Sequence, residues 1–260
     1  MTKPLLSIVS ASLNSGQYIK KAIESVLTQT YPEIEYIVVD GGSTDETLNI
    51  LKSYGNKIIW ISEKDKGIYD ALNKGFNLAK GEVLTWLDTD NYYLSNDVVK
   101  KVMNEFINDD GLGMVIANTK TVYSDRPEQI NQVSESPTFE MFFNKGNKFV
   151  PEGVFFKKSL FDSVGGLDIQ YKLLADYELW LKMLKSRPKI KKLEITSAAF
   201  TVRKDALLRK DPFLAWHETY LIGRKYGWSA RQYFYFYLRY LMEKARFFLS
   251  SVKRRLFTKK

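Results

Sequence analysis

The sequence predicts an α/β fold: a mostly parallel β-sheet flanked by helices, with a helical extension at the C-terminal end. Three observations carry this reading. Between Leu5 and Leu87, short apolar runs with β-branched residues alternate with stretches of helical period, the pattern of successive βαβ units. Apolar residues make up 45% of the 260 and charged residues 27%, the balance of a soluble globular chain and not of a disordered or fibrous one. From Asp211 onward the pattern is that of two long helices, broken near Gly227-Trp228-Ser229.

The elements follow in order. Leu5–Ala11 reads as the first strand, and Gly16–Gln29 as a helix with Ile19, Ile23, Val26 and Leu27 at helical spacing, stopped by Tyr31-Pro32. Ile34–Val39 is the second strand, ended by Asp40-Gly41-Gly42. Thr44 is the expected cap of a helix carrying Thr47, Leu48 and Leu51. Ile58–Ile61, Ile68–Ala79 and Val83–Leu87 read as strand, helix and strand. Ser95 is the expected cap of a helix over Val98–Phe106. Met114–Tyr123 reads as a strand, Ser124–Ser136 as a loop, and Val154–Phe156 as a brief strand. Ala175–Leu184 reads as a helix, and Lys189–Val202 as one or two strands. In an open sheet of this kind, ligands bind beyond the carboxyl ends of the strands.

Composition narrows the chemistry. There is no cysteine and one histidine, His217, so thiolate metal sites, cysteine nucleophiles and multi-histidine zinc sites are excluded. A metal here would be held by carboxylates, which suits Mg²⁺ or Mn²⁺. His217, between Trp216 and Glu218 on an expected helix, reads as structural, and Trp60 and Trp86 read as core.

Three acidic clusters stand at informative positions. Asp40 ends the second strand before two glycines. It suits a ligand-facing acceptor, and equally a tight turn with a helix cap. Asp88-Thr89-Asp90 directly follows the strand Val83–Leu87, where paired carboxylates make a hard-oxygen site with positions left for a diphosphate. A solvated acidic loop is the alternative. Asp176 falls in the first turn of the helix from Ala175, where capping alone would account for it.

Taken together, these residues resemble family 2 glycosyltransferases. The matching stretches are Ser10–Asn14, Tyr36–Thr47 (YIVVDGGSTDET), Ser62–Gly75 (SEKDKGIYDALNKG), Gly81–Asp90 (GEVLTWLDTD), Gly165–Asp168 and Ala175–Leu181 (ADYELWL). They occur in the family's order and spacing. The resemblance implies a GT-A fold with a Rossmann-like sheet, and an inverting transferase taking its sugar from a nucleotide diphosphate. It implies a catalytic domain over residues 1–203, with a nucleotide-sugar half of about 1–92 and an acceptor half of about 93–203, and an extension over 204–260.

The resemblance also implies roles. Ser12 and Asn14 line the nucleotide pocket. Asp40 reads the base, usually uracil in this family, so that the donor is a UDP-sugar. Lys66 and Asp70 border the nucleotide and donor sugar. Asn73 stands on the same helix in a binding or structural role. Asp88 contacts ribose or the metal shell, Asp90 holds Mn²⁺ or Mg²⁺ through the diphosphate, and Asp176 is the general base. Two positions depart from the family's pattern. Pro151-Glu152-Gly153 replaces a pair that often contains glutamine, leaving Glu152 as an acceptor contact or an ordinary loop carboxylate. Asn91 stands where an acid is common. Trp180 reads as core or as a sugar-stacking ring at the acceptor site. The expected acceptor is a glycan or lipid-linked hydroxyl, in polysaccharide or cell-surface glycan assembly.

Two other classes of protein make different demands on the sequence. A nucleotidyltransferase on a similar scaffold calls for an early glycine-rich phosphate loop with a basic residue, which Ser12-Leu13-Asn14-Ser15-Gly16 lacks. A non-catalytic nucleotide-sugar-binding module calls for loss of Asp90 or Asp176, and both are present.

Charge is unevenly distributed. The chain carries +9 overall, while Lys204–Lys260 alone holds 14 Lys and Arg against 4 Asp and Glu. Phe234, Leu238, Leu241, Ala245, Phe248 and Val252 form an apolar line at helical spacing, with Arg239, Glu243, Arg246, Ser250 and Lys253 on a second line. This predicts an amphipathic helix that attaches to an anionic membrane or packs on the catalytic domain or a second subunit of a homo-oligomer. Nucleic acid is not an expected partner, because no recognised module accompanies the charge. No uncharged apolar run approaches the roughly 20 residues of a membrane span and no signal-like segment opens the chain. The expectation is a cytoplasmic protein, peripheral on the inner face of the membrane.

Overall fold

The structure is a computed structural model that describes residues 3–133, 137–146, 149–202 and 211–257. The chain divides into two compact units, 1–204 and 205–260. In the first unit the strands are β1 (Leu6–Ser12), β2 (Ile34–Asp40), β3 (Ile59–Ser62), β4 (Val83–Trp86), β5 (Tyr92–Tyr93), β6 (Leu112–Tyr123), β7 (Gln129–Asn131), β8 (Val154–Lys157) and β9 (Lys189–Val202). Its helices are α1 (Ile19–Leu27), α2 (Thr47–Ser53), α3 (Ile68–Leu78), α4 (Val98–Asn108), α5 (Phe139–Lys145), α6 (Lys158–Ser163) and α7 (Ala175–Lys185).

All these strands join one sheet of order β3-β2-β1-β4-β8-β6-β9-β5, with β7 on the edge of β6. The first four run parallel. β8 enters antiparallel between β4 and β6, and β9 returns parallel to β6. The expected mostly parallel sheet is thus present, with a mixed second half. β1 shows why both faces need cover. Leu6 and Ile8 belong to a core cluster with Ile19 and Ile23 of α1, Leu51 of α2 and Val102 and Phe106 of α4. On the other face Val9 abuts Gly75 of α3 so closely that a Cβ there would overlap its Cγ1. That face continues into an aromatic cluster of Phe76, Trp86, Phe156, Phe161 and Trp180, in which the two indoles stack at 5.2 Å and 6°.

Several local expectations are corrected. Thr44 does not cap α2: Glu46 holds the N-cap position, Asp45 Oδ1 accepts from Thr47 N at 3.0 Å in the turn before it, and Thr44 N donates to Asn14 Oδ1 at 2.9 Å. Ser95 does not cap α4; its hydroxyl donates to Asp97, which holds the N-cap position. Of the one or two strands expected over Lys189–Val202, the structure has one, with register shifts along β6. The segment read as the loop Ser124–Ser136 contains β7, and its residues 134–136 lie outside the described residues.

In the second unit, α8 (Pro212–Tyr226) starts at Asp211, whose Oδ1 accepts from Phe213 N and Leu214 N at 3.1 and 3.0 Å. It ends at Gly227 in the left-handed region, φ 81°, where glycine carries no Cβ penalty. A capping box then opens α9 (Ala230–Phe257): Ser229 N donates to Gln232 Oε1 at 2.7 Å, and Gln232 N to Ser229 Oγ at 3.3 Å. The expected break between two helices stands at the expected place.

Candidate active site

The parallel register brings the strand ends together. Ser12 of β1 pairs with Asp40 of β2, and Asp40 with Ser62 of β3. β4 ends beside them and releases the chain into Asp88-Thr89-Asp90. Two clefts open above these ends. One, of about 280 Å³, is lined by Ser12, Ser15, Asp65, Asp88 and Asp90 among others. The second, of about 230 Å³, is lined by Tyr69, Trp86, Asp88, Pro151 and Asp176 among others. Asp88 and Ile68 line both.

The floor of the first cleft is a fixed polar scaffold. The buried Asp40 carboxylate accepts from Gly42 N (3.1 Å), Ser43 N (2.9 Å), Ser62 Oγ (2.7 Å) and the Ser43 hydroxyl. Three of those bonds reach Oδ2 and one reaches Oδ1, so Asp40 braces the turn after β2. Asn14, in the left-handed region at φ 49°, likewise ties the two loops together through Thr44 N and through its own N–H to Ser43 Oγ at 2.7 Å. Ser12 does face the cleft, and its buried Oγ has no partner among the described residues.

Asp65 is a lining residue that the sequence reading passed over, although it sits beside Lys66 in a motif already singled out. Its carboxylate lies directly over Gly41, where any Cβ would overlap Oδ2, and Gly67 N fixes it at 2.8 Å. Lys66 itself is exposed, with its backbone N–H donating to Asp70 Oδ2 at 3.0 Å. Asp70 lies in the first turn of α3 and pairs with Lys74 at 3.6 Å. Neither Lys66 nor Asp70 lines the cleft.

Between the clefts, carboxylates crowd. Burial raises Asp88 well above the usual carboxylate range, and Glu152, Asp90 and Asp176 push it further by charge repulsion. Asp88 Oδ1 is buried without a hydrogen-bond partner among the described residues. Glu152 is fully enclosed beneath this pair. Burial moves its carboxyl up to about 7, and Asp90 adds to the rise against the hydrogen bonds it accepts. Of the two readings the sequence left open for Glu152, an acceptor contact or a loop carboxylate, its enclosure favours the second. Glu152 receives the Asn91 amide N–H, while Asn91 Oδ1 accepts from Thr201 N at 2.7 Å and the Thr201 hydroxyl donates to Asp90 O at 2.8 Å. Asn91 thus clasps the acidic loop between the Pro151–Gly153 turn and β9.

Among the described residues no group of three or more His, Asp or Glu is placed to hold a metal by itself. The donor set still fits a hard cation that draws its other oxygens from a diphosphate: two neighbouring carboxylates, with Asp88 Oδ1 meeting no hydrogen-bond donor among the described residues, beside further acidic groups.

Asp176 occupies the second cleft, half-buried in the first turn of α7. Tyr69 OH donates to Leu173 O at 2.9 Å and lies 3.4 Å from Asp176 Oδ1. The turn before α7 is anchored from α3: Asn73 donates to Leu167 O (2.8 Å) and accepts from Leu167 N (3.0 Å). Lys182 Nζ adds a bond to Gly166 O at 2.5 Å and an ion pair with buried Glu178 at 3.1 Å. Asn73 is thus a structural link. Trp180 is fully buried and stacked on Trp86, so it belongs to the core and is not a sugar platform.

The fold is of the GT-A type. It superimposes on S. aureus TarS in complex with UDP-GlcNAc at a TM-score of 0.68, with 21% identity, covering 85% of this chain and 64% of that one. It also superimposes on the mannosyltransferase PcManGT of Pyrobaculum calidifontis, in complex with GDP-Man and Mn²⁺, at 0.62, with 18% identity, covering 84% and 62%. The sequence makes the assignment specific: residues 7–163 match the profile of glycosyl transferase family 2, and the chain belongs to that family. An uncharacterized glycosyltransferase of Rickettsia typhi is 32% identical over 194 residues, 70% of this chain. The chain spans 59% of the length of that relative. A PGL/p-HBAD biosynthesis glycosyltransferase of Mycobacterium tuberculosis is 29% identical over 184 residues, 68% of this chain and 69% of its own.

Proposed function

We propose that the chain is a metal-dependent inverting glycosyltransferase. In this reading it moves a sugar from a nucleoside diphosphate, with UDP the first candidate, to a hydroxyl of a glycan or lipid-linked acceptor at the cytoplasmic face of a membrane. The observation that carries this reading is the position of Asp88 on the boundary of both clefts. A donor in the first cleft and an acceptor in the second would meet over it. Residues of about 1–92 then form the donor half and those of about 93–203 the acceptor half. TarS with UDP-GlcNAc and PcManGT with GDP-Man and Mn²⁺ support a nucleotide-sugar donor on this fold.

The chemistry follows from the residue types. Ser12 and Asp65 offer a hydroxyl and a carboxylate to the nucleoside. Asp90 and Asp88 would hold Mn²⁺ or Mg²⁺, which supplies charge neutralisation to a departing diphosphate. Asp176, across Asp88 from the nucleotide, takes the proton of the acceptor hydroxyl as it attacks. Attack from the side opposite the diphosphate inverts the anomeric carbon and leaves no covalent enzyme intermediate. The test is diphosphate release from a panel of UDP- and GDP-sugars, with Mn²⁺ or with EDTA. Release dependent on the metal and selective for one nucleotide supports the reading. Full turnover in EDTA contradicts the metal's part in it, and release from none of the donors contradicts the donor class.

A further inference from the structure

The second unit carries two aromatic faces with different fates. On α9, Tyr233, Phe236 and Tyr240 turn toward α8. Phe236 packs on Trp216 at 5.2 Å and on Trp228 at 5.1 Å, Tyr240 on Trp216 at 5.8 Å, and Tyr233 on Tyr220 at 6.0 Å. That seam holds the hairpin together. On the opposite side of α9, no ring of α8 is met among the described residues. Phe234 is 64% exposed, Leu241 59% and Leu238 46%, with Tyr237 and Met242 exposed beside them. Positions 234, 238 and 241 lie within one turn-to-turn line, so these side chains form a continuous stripe and not scattered surface residues. Phe248 and Val252, which extend the line in sequence, fall where side chains lie outside the described residues.

We infer that this stripe is a docking surface for an anionic lipid bilayer. Charge decides against the alternative occupant, a second copy of the chain. The segment from Lys204 holds 14 basic against 4 acidic residues, so pairing two such helices face to face sets like charges together, whereas an anionic leaflet attracts them. Arg231, Arg239, Lys244 and Arg246 are exposed along the same helix, placed to reach headgroups while the stripe enters the boundary beneath them. Tyr237 adds an amphipathic ring suited to that boundary. The mode is peripheral: among the described residues no helix is long and apolar enough to cross a membrane. The inference rests on the second unit alone and stands or falls apart from the transferase reading.

The test is co-sedimentation of the full chain with phosphatidylcholine vesicles, with and without phosphatidylglycerol, at low and high salt. Light scattering of the protein alone accompanies it. Binding is expected to need phosphatidylglycerol and to weaken with salt. Each of Arg231, Arg239 and Arg246 replaced by Gln is expected to weaken it about fivefold. The combined Phe234→Ser, Leu238→Ser and Leu241→Ser variant, altered only at exposed positions, is expected to lose binding by more than about tenfold while its melting temperature stays put. Equal binding to both vesicle types, no binding to either, or unchanged binding by the triple variant overturns the inference. So does a concentration-dependent dimer that the triple variant abolishes.

Discussion

Asp176 and Glu152 show how one residue type takes opposite duties from its surroundings. Asp176 stands at a cleft and Glu152 is sealed beneath it. If Asp176 is the base, Asp176→Asn keeps the shape and removes the proton acceptor. Its kcat is then expected to fall about 10²–10⁴-fold, with binding of the nucleoside diphosphate unchanged by titration; collapse of nucleotide binding instead would assign Asp176 to the donor. For Glu152 the expectation concerns stability. Its folded carboxyl is raised to about 7 from an ordinary 4.5, so the folded state holds a proton that the unfolded chain has given up across that window. Stability is therefore full below the unfolded value and declines as pH rises toward 7, by on the order of 3 kcal/mol. Melting curves at about pH 5 and about pH 8 are expected to show wild type losing more stability than Glu152→Gln; parallel loss in both would contradict it. At this scale the sequence was legible where a motif stands at a strand end, as for Asp88 and Asp90. A polar residue that also braces a loop is harder to read. Asp40, Asn14 and Asn73 spend their hydrogen bonds on neighbouring loops, and only the folded register reveals which loops those are.

Among the elements, α3 is the clearest case of packing overruling local preference. Alanine at Gly75 would gain about 1 kcal/mol of helix propensity. A Cβ there would nonetheless overlap Val9 and crowd Val39 on the buried face of the sheet, and overpacking of that kind costs about 1–3 kcal/mol. Gly75→Ala is expected to lower Tm by roughly 2–6 °C; an unchanged or raised Tm would show that the sheet can yield. The alternating first half of the sheet could be read from the sequence because each strand and helix carries its own period. In the second half β6, β8 and β9 could also be read as strands, but not their order, their directions or the shortest elements. β5 is two residues long, β7 is a polar edge strand of three, and β8 lies antiparallel between β4 and β6. Those pairings come from residues far apart in the chain and leave no local period. α5 and α6, of seven and six residues, are too short to show amphipathic spacing.

Across the whole molecule, the chain separates two tasks. The first unit gathers its carboxylates at one end of a parallel sheet, and the second concentrates basic and apolar surface on a helical hairpin. In the first unit, Glu152, Asp90 and Asp176 crowd Asp88; a nucleoside diphosphate alone would add to that negative charge, and a divalent cation would offset it. Binding of the two should therefore be mutually dependent. Calorimetric titration of UDP into the protein with Mn²⁺, with EDTA, and into Asp90→Ala with Mn²⁺ tests this most directly. The account predicts saturable binding only with wild type and metal, and a loss of at least about tenfold in affinity in each other case. UDP binding of equal strength in EDTA and in Asp90→Ala would contradict it.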